Sequence, residues 1–237
     1  MKRLLFAFAV IALFAVSDLR ADLPTGCGSA PSPAYVKNLL RQAPGLRESV
    51  LRLALDASSC AAEKGLVKRR DLLTVIDYSL PSDEPRLFVF NLQSNRLLFR
   101  ELVAHGKNSG GNLTKYFSNS HGSLATSLGL FVTAGTYVGG NGYSMRLRGL
   151  EQGVNDSAWD RLIVLHGASY VNRTIVRSLG RLGRSWGCPA VRKEIARKLI
   201  DTIKGGSPVF AYYPDKKWIT NSAYLSAVGK TQLASLK

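Results

Sequence analysis

Seven short apolar segments, which recur between residues 73 and 213, constrain the fold of this chain more than any other feature. They are rich in Val, Ile, Leu and Phe, and turn-forming residues separate most of them, so they predict β-strands. The segments span residues 73–78, 86–92, 96–104, 128–133, 143–150, 161–166 and 208–213. We therefore predict a mainly β fold with flanking helices, of the α+β class.

Residues 34–64, in front of this β region, predict two short helices that Pro44-Gly45 separates. Their apolar positions recur at helical spacing, at Val36, Leu39 and Leu40 in the first helix and at Leu46, Val50, Leu53 and Ala54 in the second. We predict a linker and small helical N-terminal segment over residues 22–70, a main domain over residues 71–215 and a C-terminal tail over residues 216–237.

The first 21 residues are predicted to be a secretory signal peptide. Two basic residues precede an uninterrupted apolar run over residues 4–16. That run is too short to cross a bilayer with ease, but it matches the apolar core of a signal peptide. Small residues favour cleavage after Ser17 or Ala21, and an uncleaved membrane anchor is the alternative. We expect an exported protein, most simply in the periplasm.

Two of the three cysteines lie in the N-terminal part of the chain, and the third lies more than 100 residues further on. An exported chain meets an oxidising compartment, where disulfides persist, and Cys27 and Cys60 both lie in the N-terminal part. A disulfide between them would leave Cys188 as a candidate reactive thiol. A buried, inert Cys188 is the alternative.

Two segments carry residues suited to covalent catalysis. The apolar run over residues 162–165 ends at His166, and Cys188 follows 22 positions later. Beyond it, apolar residues recur every four positions, at Val191, Ile195, Leu199 and Ile203. This period predicts an amphipathic helix with Pro189 in its first turn. Cys188 is then expected at or next to the N-cap, where free N–H groups and the helix dipole favour thiolate over thiol.

This arrangement predicts a cysteine nucleophile with a histidine base. His166 would take the thiol proton if its strand end meets the segment of Cys188. Gly187 permits a tight turn, and the backbone N–H groups of Gly187 and Cys188 are candidate oxyanion donors. Nearby cations also favour a thiolate, namely Arg181, Arg184 and Arg192. The alternative is a buried capping cysteine beside a structural histidine.

His166-Gly167, taken together with Ser185-Trp186-Gly187-Cys188, resembles the active-site motif of L,D-transpeptidases of the YkuD type. The resemblance is closest to the murein L,D-transpeptidase variant, in which Gly-Cys is followed by Pro-Ala. Residues 119–131, which include His121, are similar to a substrate-side loop and strand of that variant. The resemblance covers residues 70–213.

The resemblance implies an L,D-transpeptidase-like β-sandwich that acts on peptidoglycan stem peptides, without a cofactor. Cys188 would attack the amide between diaminopimelate and D-Ala, and an amine on a second stem would accept the acyl group. His166 would be the base, Ser185 and Gly187 would shape the turn, and Gly167 would line the site and orient the imidazole.

Two departures from the common motif change the expected substrate contacts. Trp186 stands where the common form has a second histidine, so we expect it to stack on substrate or to pack. Ala190 stands where the common form has Arg or Asn, so we expect Arg184 or Arg192 to recognise a carboxylate. The acceptor stays open between a stem peptide, a lipoprotein lysine, a free D-amino acid and water.

The remaining polar residues predict no second catalytic or metal site. His105 and His121 lie in a Gly-, Ser- and Asn-rich stretch and are expected on an exposed loop, with a substrate-groove role open for His121. No short-spaced pair of ligands supports a zinc site. The net charge is +16 and is spread along the chain. Because export argues against nucleic acid, an anionic wall or outer-membrane surface is the expected partner.

Other functions stay open beside transpeptidation. Water as acceptor would make the protein an L,D-carboxypeptidase, or a hydrolase of cross-links or lipoprotein links. A sortase-like enzyme is disfavoured because a helix is predicted after Cys188, and an NlpC-type peptidase because it places Cys before His. A non-catalytic wall-binding module is disfavoured by the presence of both Cys188 and His166.

Overall fold

The computed structural model of the protein describes residues 27–226. The predicted signal peptide, the first residues of the predicted linker (22–26) and the end of the predicted tail (227–237) lie outside the described residues. Within residues 27–226, no helix is long and apolar enough to span a membrane.

Two helices open the described chain, as the apolar spacing predicts. Helix α1 spans Pro33–Gln42 and helix α2 spans Glu48–Glu63. The Ser32 hydroxyl caps α1 by accepting a hydrogen bond from the backbone N–H of Tyr35 at 3.2 Å, and a proline suits its first turn. Helix α2 is buried along most of its length.

Nine strands carry most of the remaining fold. Strands β1 to β9 span, in chain order, Leu72–Asp77, Leu87–Asn91, Arg96–Glu101, Val103–Ala104, Gly129–Gly139, Gly142–Gly149, Val164–Ala168, Ala190–Arg192 and Pro208–Tyr212. Each of the seven predicted segments overlaps one of these strands, and the predicted segment 96–104 divides into β3 and β4. The mainly β prediction is confirmed, whereas β8 has no counterpart in it.

The nine strands form one sheet in the order β3-β2-β1-β9-β5-β6-β7-β8-β4. Strands β3 and β4 stand at opposite edges of this order, yet Leu102 alone separates them along the chain. The sheet must therefore curl until its edges approach each other, which gives a nearly closed, barrel-like shape. The sandwich description is not confirmed.

The two largest apolar clusters lie on opposite faces of the curled sheet, because successive residues of a strand point to opposite faces. Helices α1 and α2 pack on one face with side chains such as Val75, Phe88 and Phe210. Helix α4 (Lys193–Ile203) packs on the other face, and the partly buried Cys188 belongs to the same cluster. The candidate site therefore lies on the face opposite the N-terminal helices.

The predicted C-terminal tail begins as a packed element. Helix α5 spans Lys216–Asn221, after a shorter helix α3 at Arg173–Leu179. The indole N–H of Trp218 donates a hydrogen bond to the buried Glu151 carboxylate at 2.9 Å. Residues 216–221 are therefore part of the folded body.

Both ends of the described chain are fixed to helix α2. Cys60 on this helix forms a disulfide with Cys27. The Asp56 carboxylate accepts hydrogen bonds from the backbone N–H groups of Gly28, at 3.3 Å, and of Ser226, at 2.7 Å. One helical turn thus holds the first and last described residues together.

Candidate active site

Cys188 lies in a turn that leads into strand β8, and the predicted N-cap position for it is wrong. Helix α4 begins at Lys193, with Arg192 as its N-cap residue. Residues 190–192 instead pair with β7 on one side and with β4 on the other. Pairing between strands distant in sequence overrides the helical period here, so Cys188 is not at the N-terminus of α4.

Side-chain and backbone hydrogen bonds fix the turn that presents Cys188. The Ser185 hydroxyl donates to the Cys188 carbonyl at 2.6 Å and accepts from the Gly187 N–H at 3.1 Å. Gly187 has φ +123°, and a Cβ there would stand 2.9 Å from the Ala125 carbonyl oxygen, so glycine is required. The Gly187 N–H is thus used inside the turn. Among residues 27–226 the Cys188 N–H donates to no partner.

The Cys188 thiol is enclosed by the start of β7. The Val164 N–H donates to Sγ at 3.4 Å, and the thiol donates to the Leu162 carbonyl at 3.7 Å. Burial raises the pKa of this thiol, while the Val164 N–H and the charge of Arg161 act in the opposite direction. The resting side chain is therefore a thiol, and the expectation of a thiolate favoured by a helix dipole is wrong.

His166 is held in the middle of the sheet. It lies on β7 opposite Ser144 of β6 and Ala190 of β8, and its side chain is buried. Its Nδ1 is 3.1 Å from the Gly167 carbonyl oxygen. Because a carbonyl can only accept, Nδ1 carries the proton and Nε2 keeps its lone pair. Burial lowers the pKa of the imidazole.

Backbone pairing joins the segments that carry Cys188 and His166. The His166 N–H reaches the Pro189 carbonyl at 3.4 Å, one residue beyond Cys188. Within the described residues the two side chains share no direct hydrogen bond. Gly167 permits the close approach of α4, since a Cβ there would stand 2.8 Å from the Cβ of Ala196.

A model of the L,D-transpeptidase catalytic domain family matches residues 42–212 of this chain. The chain belongs to the L,D-transpeptidase catalytic domain family. No curated protein matches it. The matched range contains the Cys188 turn, the His166 strand and helix α2.

Several solved structures are similar to this member of the family at low sequence identity. An L,D-transpeptidase from Mycobacterium smegmatis is 15% identical, with a TM-score of 0.38 over 60% of this chain and 59% of that chain. The helical cell shape determining protein Pgp2 from Campylobacter jejuni is 14% identical, with a TM-score of 0.42 over 69% and 53%. An L,D-transpeptidase from Xylanimonas cellulosilytica is 15% identical, with a TM-score of 0.33 over 81% and 98%. The chain thus spans little more than half of the first two.

The residues expected to contact substrate in this L,D-transpeptidase domain differ in how exposed they are and in which hydrogen-bond partners they have. Trp186 is 75% exposed, so it does not pack into the core. Arg184 is exposed and donates through one nitrogen to the carbonyls of Lys107 and Gly110, each at 3.0 Å. Its other guanidinium nitrogens have no partner among residues 27–226.

Arg192 and His121 are placed less favourably for binding substrate. Arg192 forms a bidentate ion pair with Glu101, at 2.9 and 2.7 Å, so its fork is already occupied. His121 is exposed, and no hydrogen bond joins it to the residues around Cys188 within the described chain. Arg184 is therefore the stronger candidate for recognising a carboxylate.

The expectation that His105 is an exposed loop residue is wrong. Its side chain is 1% exposed, and its Nδ1 is 2.7 Å from the guanidinium of the fully buried Arg86. Burial and this cation lower the pKa of His105 to about 4. The His105 carbonyl accepts the Ser185 N–H at 2.9 Å. A neutral His105 thus supports the turn that carries Cys188.

Sequence reasoning missed two residues close to the thiol, Arg161 and Tyr170. Burial and the charge of Cys188 raise the pKa of Tyr170 to about 12, so its phenol stays neutral. A basic residue just before the apolar strand of His166 was the available signal for Arg161. No cluster of three or more His, Cys, Asp or Glu side chains suited to a metal occurs in residues 27–226.

The pH dependence of turnover should report the buried state of His166. If His166 acts as a base in its neutral form, burial opposes the imidazolium, and kcat/KM should fall only below pH 6.5, the ordinary pKa of a histidine. His166→Gln should lower kcat/KM by about 10²–10⁴-fold and abolish this acid limb. A profile of kcat/KM against pH tests both, and an acid limb with its midpoint above pH 6.5 would contradict the assignment.

Proposed function

We propose that the protein is an exported, cysteine-dependent L,D-transpeptidase that acts on peptidoglycan stem peptides. The main observation in support of this proposal is the pairing of β7 with β8. It sets His166 opposite Ala190, two residues beyond Cys188, while the Cys188 thiol contacts Val164 on the same strand as His166. A nucleophile and a base are thus held by one pair of strands, within a domain of this family.

The chemistry follows from the protonation states of the two side chains. His166 Nε2 takes the thiol proton as Cys188 Sγ attacks the carbonyl carbon of the diaminopimelate–D-Ala amide. The imidazolium returns this proton to the departing D-Ala nitrogen as the C–N bond breaks, which leaves a thioester on Cys188. An amine of a second stem then attacks the thioester carbonyl carbon and gives its proton to His166, which passes the proton to Cys188 Sγ as the C–S bond breaks.

The Cys188 N–H is the backbone donor available for the oxyanion, since the Gly187 N–H is bound to Ser185. The exposed Trp186 indole, two residues before the nucleophile, offers a surface on which substrate stacks. Arg184 has guanidinium nitrogens that make no hydrogen bond within residues 27–226 and could bind a stem-peptide carboxylate. These three groups would define the substrate side of the thiol.

Export to the periplasm is supported by two features. The Cys27–Cys60 disulfide suits an oxidising compartment, and the N-terminal sequence has the pattern of a signal peptide. The net charge of +16 suits a protein that works at an anionic wall or outer-membrane surface. The domain limits proposed from the sequence are a leader over residues 1–21 and a catalytic domain over residues 71–215.

Product analysis of the wild-type protein tests this function. A purified disaccharide-tetrapeptide is incubated with and without an added amine acceptor, and products are read by mass. Transpeptidation predicts loss of D-Ala together with dimers or acceptor adducts. Loss of D-Ala without either product would instead establish a carboxypeptidase. No change would move the test to cross-linked or lipoprotein-bearing wall, and no product there would favour a non-catalytic wall-binding module.

A further inference from the structure

Arg161 lies directly behind the turn that carries Cys188. Its Nη2 stands 3.5 Å from the position of a Cβ on Gly187. The residue that follows it, Leu162, supplies the carbonyl that the thiol contacts, and Val164 supplies the N–H that donates to Sγ. The segment that begins at Arg161 therefore encloses the thiol with a cation, a carbonyl and an N–H.

The same guanidinium holds the loop over residues 118–127. Its Nη1 donates to the Ser118 carbonyl at 2.7 Å and to the Ser127 hydroxyl at 2.5 Å. Its Nη2 donates to the Ser123 hydroxyl at 3.0 Å and to the Ala125 carbonyl at 2.7 Å. The Ala125 carbonyl is also the atom that Gly187 packs against. Arg161 thus joins this loop to the nucleophile turn.

The charge of Arg161 has no acidic partner among the described residues. All four of its hydrogen bonds go to neutral oxygens, and no ion pair within residues 27–226 includes it. Its guanidinium is half-buried, so solvent screens it less than it screens a surface arginine. An uncompensated cation beside a thiol favours the thiolate over the thiol.

We propose that Arg161 is a positioning residue that docks the Cys188 turn onto the 118–127 loop and supplies the positive charge beside which the thiolate forms. This inference rests on Cys188 being the nucleophile of the proposed function.

Two tyrosines that interact with Cys188, and the proposed base His166, carry no charge near neutral pH. Burial raises the pKa of Tyr78 and of Tyr170, so both phenols keep their protons. Burial lowers the pKa of His166, so its imidazole is neutral. Arg161 is the cation that acts on the Cys188 thiol among the described residues, and it lowers the pKa of that thiol against the effect of burial.

The test measures the rate of alkylation by iodoacetamide as a function of pH. Since Cys27 and Cys60 are joined in a disulfide, the rate reports Cys188 alone. The variants are Arg161→Gln, which removes the charge, and Arg161→Lys, which keeps a charge on a shorter donor that cannot make all four bonds. Arg177→Gln, on the exposed face of α3, is the matched control.

The midpoint of the alkylation profile should rise in the order wild type, Arg161→Lys, Arg161→Gln. In the Gln variant it should rise by about one pH unit, so that alkylation at a fixed pH below the midpoint slows about tenfold. Arg177→Gln should match the wild type. A midpoint unchanged in Arg161→Gln, or raised equally by Arg177→Gln, would overturn the proposal.

Circular dichroism establishes first that each variant is folded. If Arg161→Gln does not fold, Arg161→Lys decides alone, because a midpoint at or below the wild-type value would overturn the proposal and a higher one would support it. Alkylation needs no wall substrate. The predicted order with no wall product would therefore refute the proposed function while leaving the role of Arg161 at the thiol in place.

Discussion

Replacing Cys188 with alanine is expected to lower the rate of D-Ala release from a tetrapeptide stem by at least about a thousandfold, since loss of a covalent nucleophile removes the acyl-enzyme route altogether. Cys188→Ser should be nearly as inactive, because a hydroxyl beside a neutral imidazole is a much weaker nucleophile than a thiol. Release of D-Ala, followed by mass, measures both variants.

The fold should tolerate these two substitutions. The Cys188 side chain is partly buried and contributes two weak sulfur contacts, at 3.4 and 3.7 Å, so the melting temperature should stay within a few degrees of the wild-type value. A matched control is Ser178→Ala, on the exposed face of α3, which should retain full activity. A folded Cys188→Ala variant with activity within tenfold of wild type would refute the proposed nucleophile.

Arg86→Met is expected to destabilise the protein by about 3–5 kcal/mol, because it leaves buried acceptors without a donor. The Arg86 guanidinium is fully buried. It donates to the Val103 carbonyl at 3.1 and 2.9 Å, to the Leu80 carbonyl at 2.8 Å and to His105 Nδ1 at 2.7 Å. It also lies 5.1 Å above the Tyr78 ring.

Urea denaturation measures this effect as a lower midpoint at an unchanged slope. Arg96→Met is the matched control. Arg96 is exposed on β3, so the same substitution there should change the free energy of unfolding by less than about 0.5 kcal/mol. An Arg86→Met variant as stable as Arg96→Met would contradict the assignment of Arg86 as a central support.

The Arg86→Met substitution should also slow the proposed reaction. His105 links Arg86 to the Cys188 turn, because its side chain contacts Arg86 and its carbonyl accepts the Ser185 N–H. Folded Arg86→Met should therefore turn over more slowly than folded Arg96→Met. A loss of stability together with slower turnover would show that Arg86 supports the Cys188 turn. A loss of stability alone would show that Arg86 only stabilises the fold.

Local patterns in the sequence predicted the elements that local forces dominate. The helices at residues 34–64 and the seven strand segments carry their own period and turn signals, and the structure contains them. Strand β8 has three residues, and its Val191 fits the helical spacing of α4 equally well. Pairing with β4 and β7 decides its conformation, and both partners are distant in sequence.

Candidate site residues within one short motif could be selected from the sequence. Residues that depend on contacts between distant segments could not. Cys188 and His166 were proposed from their own neighbours in the sequence, and the structure pairs the segments that carry them. His105 lies in a polar stretch typical of an exposed loop, and its burial depends on Arg86, 19 positions earlier. Arg161 likewise acquires its place from a loop more than 30 positions away. The fold identifies the roles of both residues, and for Arg161 the sequence offers no more than its place before the strand of His166.

The attachment of both ends of the described chain, residues 27 and 226, to α2 affects how a mechanical load would cross this domain. Tension entering at Cys27 passes through the disulfide to Cys60, and tension entering at Ser226 passes through its hydrogen bond to Asp56. These two anchor points are one helical turn apart. Through these two contacts, a pull between residues 27 and 226 would load a single turn of α2, on the face of the sheet opposite Cys188.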